Sequence, residues 1–170
     1  MKISSVTMLF FVFLVLPTLA ECLQNDQWKE YVYSADNFAI TTPSELTVQE
    51  RAGFDGSTDR RYFIGQPGSK SLFTLTVGTL PRTPSKTEIK KGAKEFQKMT
   101  KGAIVRGSLI EISLGDYPGH QYEQKVDGVS RVFRGYVVGR RYFLLSVPRS
   151  SFPDGERILD SFRLLARSNQ

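Results

Sequence analysis

The sequence contains only one cysteine and one histidine in 170 residues, and this scarcity excludes several kinds of chemistry. Transition-metal sites require clustered His and Cys ligands, and nucleophile–base catalysis requires a base beside a Ser, Thr or Cys side chain. The G-x-G-x-x-G and P-loop spacings of nucleotide-binding enzymes do not occur. We therefore predict a protein that is not an enzyme and that carries no metal or other cofactor. A carboxylate-based hydrolase stays open as the least favoured alternative, because its pair of carboxylates needs no motif.

Long apolar runs are also absent, apart from one near the N-terminus. Lys2 precedes nine apolar residues at positions 8–16, and small residues follow up to Ala20. This order is typical of a secretory signal peptide, and the run is too short to span a bilayer, which needs about 20 residues. We predict that residues 1–20 are removed, that the protein is exported to the periplasm or secreted, and that no transmembrane span remains.

The rest of the chain has the size of one domain. Residues 21–27 predict a flexible tail and residues 28–168 one α+β domain, because about 150 residues bury enough surface to be stable without disulfides. Cys22 lies in the tail, where Glu21 replaces the small residue that a lipoprotein signal needs before its cysteine. We therefore predict no lipid anchor at Cys22 and leave open a disulfide between two chains.

Basic residues outnumber acidic ones along the chain. There are 23 Lys and Arg residues against 17 Asp and Glu residues, which gives a net charge of +6. A basic protein favours anionic partners, but the signature of a nucleic-acid-binding module is missing. We predict a monomer that binds a protein complex or an anionic membrane or polysaccharide surface, and no nucleic acid.

Alternating apolar residues predict β-strands along most of the chain. Residues 28–33 and 38–42 predict a first pair of strands, and residues 46–51, 61–64 and 72–77 predict three more. Asp127-Gly128 predicts a type I′ hairpin turn, and Gly139-Arg140 predicts a second tight turn. The first turn places Tyr122 opposite Phe133.

One long helix is predicted after residue 85. Ser85 and Glu88 have the spacing of a capping box, in which each side chain accepts a hydrogen bond from the other residue's backbone N–H. The exposed face of this helix carries Lys90, Lys94 and Lys98, which are candidate residues for binding an anionic surface. A solvated helix face in a basic protein has the same pattern, so this alternative stays open.

The hairpin registers place apolar residues on both faces of the C-terminal strands. Phe133 and Tyr142 lie on one face, and Tyr136 and Phe143 lie on the other. Such a sheet must be covered on both sides, and we expect the lysine-faced helix on one side and the segment that begins at Asp154 on the other. The sequence thus predicts an α+β fold, an α/β/α sandwich whose central, mostly antiparallel sheet has helices on both faces.

Three residues of the first hairpin are candidates for a small-ligand pocket: His120, Glu123 and Arg134. The register places His120 opposite Gly135, whose missing side chain leaves room beside it. Glu123 and Arg134 lie diagonally on one face, and an arginine under a covering helix needs a carboxylate partner. We favour structural roles for all three, with a receptor for an anion or a carboxylate as the alternative.

Four short motifs together resemble the PsbP-like family. They are F-A-I-T-T-P at residues 38–43, Y-P-G-H-Q-Y at 117–122, R-Y-F-L-L at 141–145 and I-L-D-S-F-R-L at 158–164. That family includes extrinsic photosystem II subunits and exported bacterial proteins, among them DcrB-like lipoproteins. The resemblance covers residues 28–166 and implies an α/β/α sandwich with a non-catalytic accessory role, docked on a protein complex or at a membrane surface. It carries over no functional residue, because the matched positions are core and turn positions.

Overall fold

The structure is a computed structural model that describes residues 28–52, 58–66, 71–89, 91, 104–151 and 153–166. The strands are β1 (Lys29–Tyr33), β2 (Phe38–Thr42), β3 (Thr47–Ala52), β4 (Thr58–Ile64), β5 (Phe73–Thr79), β6 (Ile110–Leu114), β7 (Tyr117–Val126), β8 (Val129–Val138), β9 (Arg141–Pro148) and β10 (Arg163–Leu164). The helix α1 (Asp154–Ser161) precedes β10, and the 3-10 turns Ser34–Asp36 and Arg149–Ser151 follow β1 and β9. The strands form a three-stranded sheet, β1-β2-β10, and a seven-stranded sheet, β3-β4-β5-β9-β8-β7-β6, with antiparallel pairing throughout.

The two predicted hairpins are confirmed with their predicted registers. Asp127 and Gly128 have φ values of 49° and 82°, as both central residues of a type I′ turn require, and Tyr122 lies opposite Phe133. The second turn, at Gly139, also gives the predicted partners in β8 and β9. Turn chemistry that is local in sequence therefore determines the register of the three longest strands.

The core lies between the two sheets, and aromatic rings connect them. Phe38 of β2 is fully buried, and its ring centroid lies 5.0 Å from that of Tyr62, 6.5 Å from that of Phe143 and 5.7 Å from that of Phe162. Tyr62 and Phe143 belong to the seven-stranded sheet, so one side chain of β2 packs on two of its strands. The helix α1 adds Ile158 and Leu159 to the same core, which confirms the predicted packing of the C-terminal segment.

The predicted α/β/α sandwich is wrong, because the fold is mostly antiparallel β-sheet. One face of the seven-stranded sheet is covered by the three-stranded sheet together with α1, which has only eight residues. The sequence correctly indicates that an apolar face needs a cover, but a second sheet buries such a face as well as helices do. Here β2 pairs with β1 on one side and with β10 on the other, rather than with the long strands, so the first and last strands of the described chain form most of the cover.

The opposite face of the seven-stranded sheet contains a buried polar layer that the sequence analysis missed. The hydroxyls of Thr74 and Ser146 share a hydrogen bond of 2.6 Å. Arg131 is only 3% exposed and donates to the backbone carbonyls of Ser71 at 2.8 Å and Ser146 at 3.1 Å. Burial, and then the positive charge of Arg61, lower the pKa of Arg131 to about 10. This face is therefore less apolar than the alternation in the sequence indicates.

The predicted helix begins where the capping box places it. Residues 86–89 and 91 are helical. The Glu88 N–H donates to Ser85 Oγ at 3.2 Å, and the Ser85 N–H donates to the Glu88 carboxylate at 2.8 Å, so the capping box is confirmed. Arg82 forms an ion pair with the same carboxylate.

We expect the start of this helix to weaken in acid. Hydrogen bonds from Arg82 and then Ser85 lower the pKa of Glu88 from its usual 4.5 to about 2. A carboxyl whose pKa is lower in the folded protein stabilises the fold fully above its unfolded pKa, and this stabilisation is lost as the pH falls through the folded value. An NMR titration of the Glu88 carboxyl should therefore give a midpoint well below the usual value, and a midpoint near pH 4.5 would contradict the ion pair. Glu88→Gln, which cannot titrate, is the control.

Several predicted features lie outside the described residues. They are the signal peptide at residues 1–20, the tail at residues 21–27 with Cys22, and the candidate surface-binding residues Lys90, Lys94 and Lys98. Within the described part of the chain, no helix is long and apolar enough to cross a membrane.

Candidate functional site: an apolar shelf beside an open strand edge

The three residues predicted for a ligand pocket do not share one. His120 lies opposite Gly135, as predicted, and its partner on β6 is Glu111. Because side chains alternate along β7, His120 lies on the face of the sheet opposite to that of Glu123 and Arg134. The structure therefore separates the histidine from the other two residues.

Arg134 has a carboxylate partner, as predicted, but that partner is Asp160 rather than Glu123. Arg134 Nη1 donates to Asp160 Oδ1 of α1 at 2.5 Å, and its Nε donates to Gln121 Oε1 at 2.7 Å. Glu123 instead accepts a hydrogen bond of 2.5 Å from Ser130 Oγ. The predicted Glu123–Arg134 ion pair is thus wrong, because the helix brings a carboxylate from a distant part of the sequence. Arg134 links α1 to the sheet.

The three-stranded sheet covers only part of the seven-stranded sheet. At one side Tyr33 of β1 accepts a hydrogen bond from the Leu46 N–H, next to β3, at 2.9 Å. At the other side Leu164 of β10 lines a groove with Val138 of β8. In the order of the sheet, β7 and β6 lie beyond β8, and therefore beyond the three-stranded cover. The apolar side chains that the described part of the cover leaves exposed or half-buried on this side are Ile110, Ile112, Leu114, Tyr117 and Val138, and we name them the β6 shelf.

The strand β6 gives the shelf its aliphatic character. Its sequence is I-E-I-S-L, so Ile110, Ile112 and Leu114 all face the side on which the core lies. Ile110 is 48% exposed, whereas Ile112 and Leu114 are half-buried at the margin of the core. The row thus places one exposed aliphatic side chain beside two half-buried ones at the edge of the sheet.

The outer edges of β1 and β3 are better protected against pairing than the edge of β6. Proteins protect exposed edges with charged side chains or with very short strands. On β3, Glu50 forms an ion pair with Arg60 of the neighbouring strand, and on β1, Glu30 forms one with Arg163. On the core side, β6 carries aliphatic residues alone, so the two edges of the seven-stranded sheet differ in character.

A groove of about 440 Å³ opens where the shelf meets β10. Tyr117, Val138 and Leu164 supply apolar walls, and Asn37 and Arg141 supply polar groups. A volume of this size accommodates a small ligand or a few apolar side chains. The groove therefore adds a polar end to an otherwise apolar surface.

Arg141 also borders a second cleft of about 350 Å³, which contains a buried carboxylate. The Nη2 atom of Arg141 lies 3.5 Å from Asp36 Oδ1 and donates to the Ala35 carbonyl at 3.3 Å. Asp36 is 4% exposed, accepts a hydrogen bond from the Tyr62 hydroxyl, and lies 3.4 Å from Arg60 Nη1. Two guanidinium groups and one hydroxyl therefore surround a single carboxylate, which compensates its charge.

The shelf is only partly recognisable in the sequence. The alternation in residues 110–114 indicates a strand with one apolar face. The sequence does not show where the three-stranded cover ends, because that boundary depends on the pairing of β10 with β2, over 120 positions apart. The charged groups around Asp36 were also not predicted, because Arg60 and Arg141 reach it from other strands.

Comparison with known proteins gives little information on relatives. The chain matches no protein family and no curated protein, so the resemblance to the PsbP-like family stays a prediction. Among solved structures, it is similar to a protein from Bacteroides thetaiotaomicron, with 13% identity and a TM-score of 0.45. The match covers 83% of this chain and 50% of the other, so this chain spans about half the length of that protein. The likeness is too distant to indicate a function.

Proposed function

We propose that this chain is an exported, non-enzymatic accessory module that docks on a protein partner by taking an extended, apolar segment of that partner onto the β6 shelf. The observation that carries the proposal is an apolar sheet surface that adjoins the open edge of β10. Within the described residues, β10 pairs with β2 on one side, and no strand pairs with its other side.

An extended segment beside β10 would continue the three-stranded sheet over the shelf. In this mode of recognition, backbone hydrogen bonds to the edge strand provide affinity, and pockets for alternate side chains provide specificity. The side chains that face the seven-stranded sheet would cover Ile110, Ile112 and Leu114. Burial of this apolar surface contributes about 25 cal/mol per Å², so apolar residues at alternate positions of the segment are favoured.

The other predicted functions have less support from the described residues. Docking on an anionic surface through Lys90, Lys94 and Lys98 stays a prediction, since these residues lie outside the described part. A small-ligand pocket that uses both His120 and Arg134 is disfavoured, because these side chains lie on opposite faces of β7 and β8. The expectation that the protein is not an enzyme also stays a prediction.

A charge on the shelf should prevent docking. Ile110 and Val48 lie at opposite ends of one cross-strand row of the seven-stranded sheet, and each is 48% exposed. Short random peptides are selected on the wild-type protein, and the affinities of the enriched peptides are then measured by fluorescence polarisation. We expect Ile110→Asp to weaken binding about tenfold or more, because the new carboxylate would be buried under an apolar segment. Val48→Asp, the matched control, should leave affinity unchanged.

Both variants should unfold at the temperature of the wild-type protein within a few degrees, because both positions are half exposed. A selection that enriches no peptide would overturn the proposal. Enriched peptides whose affinity falls equally in both variants, or in neither, would overturn it as well.

A further inference from the structure

We infer that the segment taken by the shelf is the C-terminal end of the partner chain, with its terminal carboxylate bound by Arg141. This inference rests on the proposed function and adds the chemistry of the partner. It derives from Arg141, which lines the groove together with Tyr117, Val138 and Leu164.

Arg141 has hydrogen-bonding capacity that the fold does not use. A guanidinium group carries five N–H donors in a planar fork, and the described contacts of Arg141 involve only Nη2, to Ala35 and Asp36. Its Nε and Nη1 have no hydrogen-bond partner among the described residues, and its side chain is 39% exposed. Either nitrogen can donate one hydrogen bond to a carboxylate oxygen, which arginine binds more strongly than a neutral acceptor.

Asp36 shares the two arginines of this region with Glu50, which pairs with Arg60 at 3.1 Å. The Asp36 carboxylate is held by the Tyr62 hydroxyl and shared with Arg60, and the contacts of both arginines with it are 3.4 Å and 3.5 Å long. Arg140, next in the chain, is exposed and donates only to the backbone carbonyl of Leu80. Asp36 and Glu50 thus balance Arg60 and Arg141, and Arg140 is the neighbouring positive charge without a carboxylate partner among the described residues.

The rest of the groove is suited to the residues that precede a C-terminus. Tyr117, Val138 and Leu164 line it with apolar surface, and Leu164 lies in β10, whose outer edge offers backbone pairing. An extended segment that runs along β10 would thus have its last apolar side chain in the groove and its terminal oxygens near Arg141. An internal segment of a chain has an amide at that point and gains no charge-assisted bond.

The experiment compares synthetic peptides that differ only at the last group. Peptides enriched on the wild-type protein are prepared with a free C-terminal carboxylate and with a C-terminal amide, and their Kd values are measured by fluorescence polarisation. We expect the acid to bind about tenfold or more tightly than the amide, the range of a charge-assisted hydrogen bond. Arg141→Gln should abolish this preference. Arg60→Gln should preserve it, because Arg60 also contacts Asp36 and is equally exposed, at 38%, but does not line the groove.

The outcomes separate this inference from the proposed function. Acid and amide that bind the wild-type protein equally well, with affinity still lost in Ile110→Asp, would overturn the inference and leave the docking proposal intact. Because that comparison uses the wild-type protein, it holds even if Arg141→Gln fails to fold. Decanoate, an apolar chain with a carboxylate, is a third probe. If decanoate binds with dependence on Arg141 and the peptide acid does not, the groove takes a fatty acid and the inference is wrong.

Discussion

Replacement of Phe38 by alanine should lower the free energy of unfolding by about 3–5 kcal/mol, the range for deleting a fully buried phenylalanine. Phe38 is 0% exposed, and its ring touches aromatic rings of β1, of the seven-stranded sheet and of the segment after α1. The vacated space lies between two sheets whose backbones are hydrogen-bonded, so it can collapse only in part. Urea denaturation measures the loss, which is a large share of the 5–15 kcal/mol that stabilises a typical domain.

A second phenylalanine provides the control for this prediction. Phe133 stacks on Tyr122 at a centroid distance of 5.2 Å, but it lies on the other face of the seven-stranded sheet and is half-buried. Phe133→Ala should therefore cost clearly less than Phe38→Ala. If Phe38→Ala lowered the free energy of unfolding by less than Phe133→Ala does, the core would not lie between the two sheets.

A double-mutant cycle tests whether the sheets pack directly on each other. Phe38 and Phe143 come from different sheets, and their rings meet edge to face, with an interplanar angle of 76°. The variants Phe38→Leu and Phe143→Leu keep most of the apolar volume, and their combination should show a coupling of about 0.5–1.5 kcal/mol. Strictly additive effects would mean that these rings do not interact across the interface.

The hairpins could be predicted from the sequence because their determinants are local. Asp127-Gly128 permits the two positive φ values of a type I′ turn, and an error of one residue in the register would move every side chain of β7 to the other face. Glu88 three residues after Ser85 similarly fixes the start of a helix. In each case, residues close together in the sequence decide the structure.

The cover of the sheet could not be predicted in the same way. The apolar residues of β8 and β9 require burial, and both a helix and a second sheet provide it. The choice depends on Arg163 and Leu164 pairing with Ala39 and Phe38, a contact between the two ends of the described chain. No spacing in the sequence specifies this pairing, and the prediction of helices on both faces is wrong for that reason.

The candidate site could also be predicted only in part. That Arg134 needs a carboxylate could be predicted from its place among apolar side chains, and the structure confirms it with Asp160. Which carboxylate binds it depends on the position of α1, which the sequence leaves open. The β6 shelf exists only because the three-stranded sheet is narrower than the seven-stranded sheet. Its extent therefore depends on the pairing of β10 with β2.

Gly119→Ala should lower the free energy of unfolding by about 1–3 kcal/mol, the usual cost of overpacking. Gly119 of β7 lies between Ile112 of the shelf and Tyr136 of the core in one cross-strand row. A Cβ at this position would lie 2.5 Å from the carbonyl oxygen of Gly135 and 2.5 Å from the ring of Tyr136. The backbone oxygen cannot move without parting β7 from β8, and the ring is stacked on Phe162, so neither neighbour yields easily.

The same hairpin contains the matched control for this prediction. A Cβ at Gly135, one row along the hairpin, would meet only Leu144 Cδ1, at 3.6 Å, an ordinary van der Waals contact, and Gly135 does not have a positive φ. Gly135→Ala should therefore be neutral or stabilising, since alanine loses less backbone entropy on folding than glycine. Thermal unfolding of both variants distinguishes the two sites. An equal fall in unfolding temperature for both would contradict the close approach of Tyr136 to Gly119. Gly119 is the cross-strand neighbour of Ile112 in the β6 shelf, so Gly119→Ala should also weaken binding of the peptide acid. Gly135→Ala, on the opposite face, should leave that affinity unchanged.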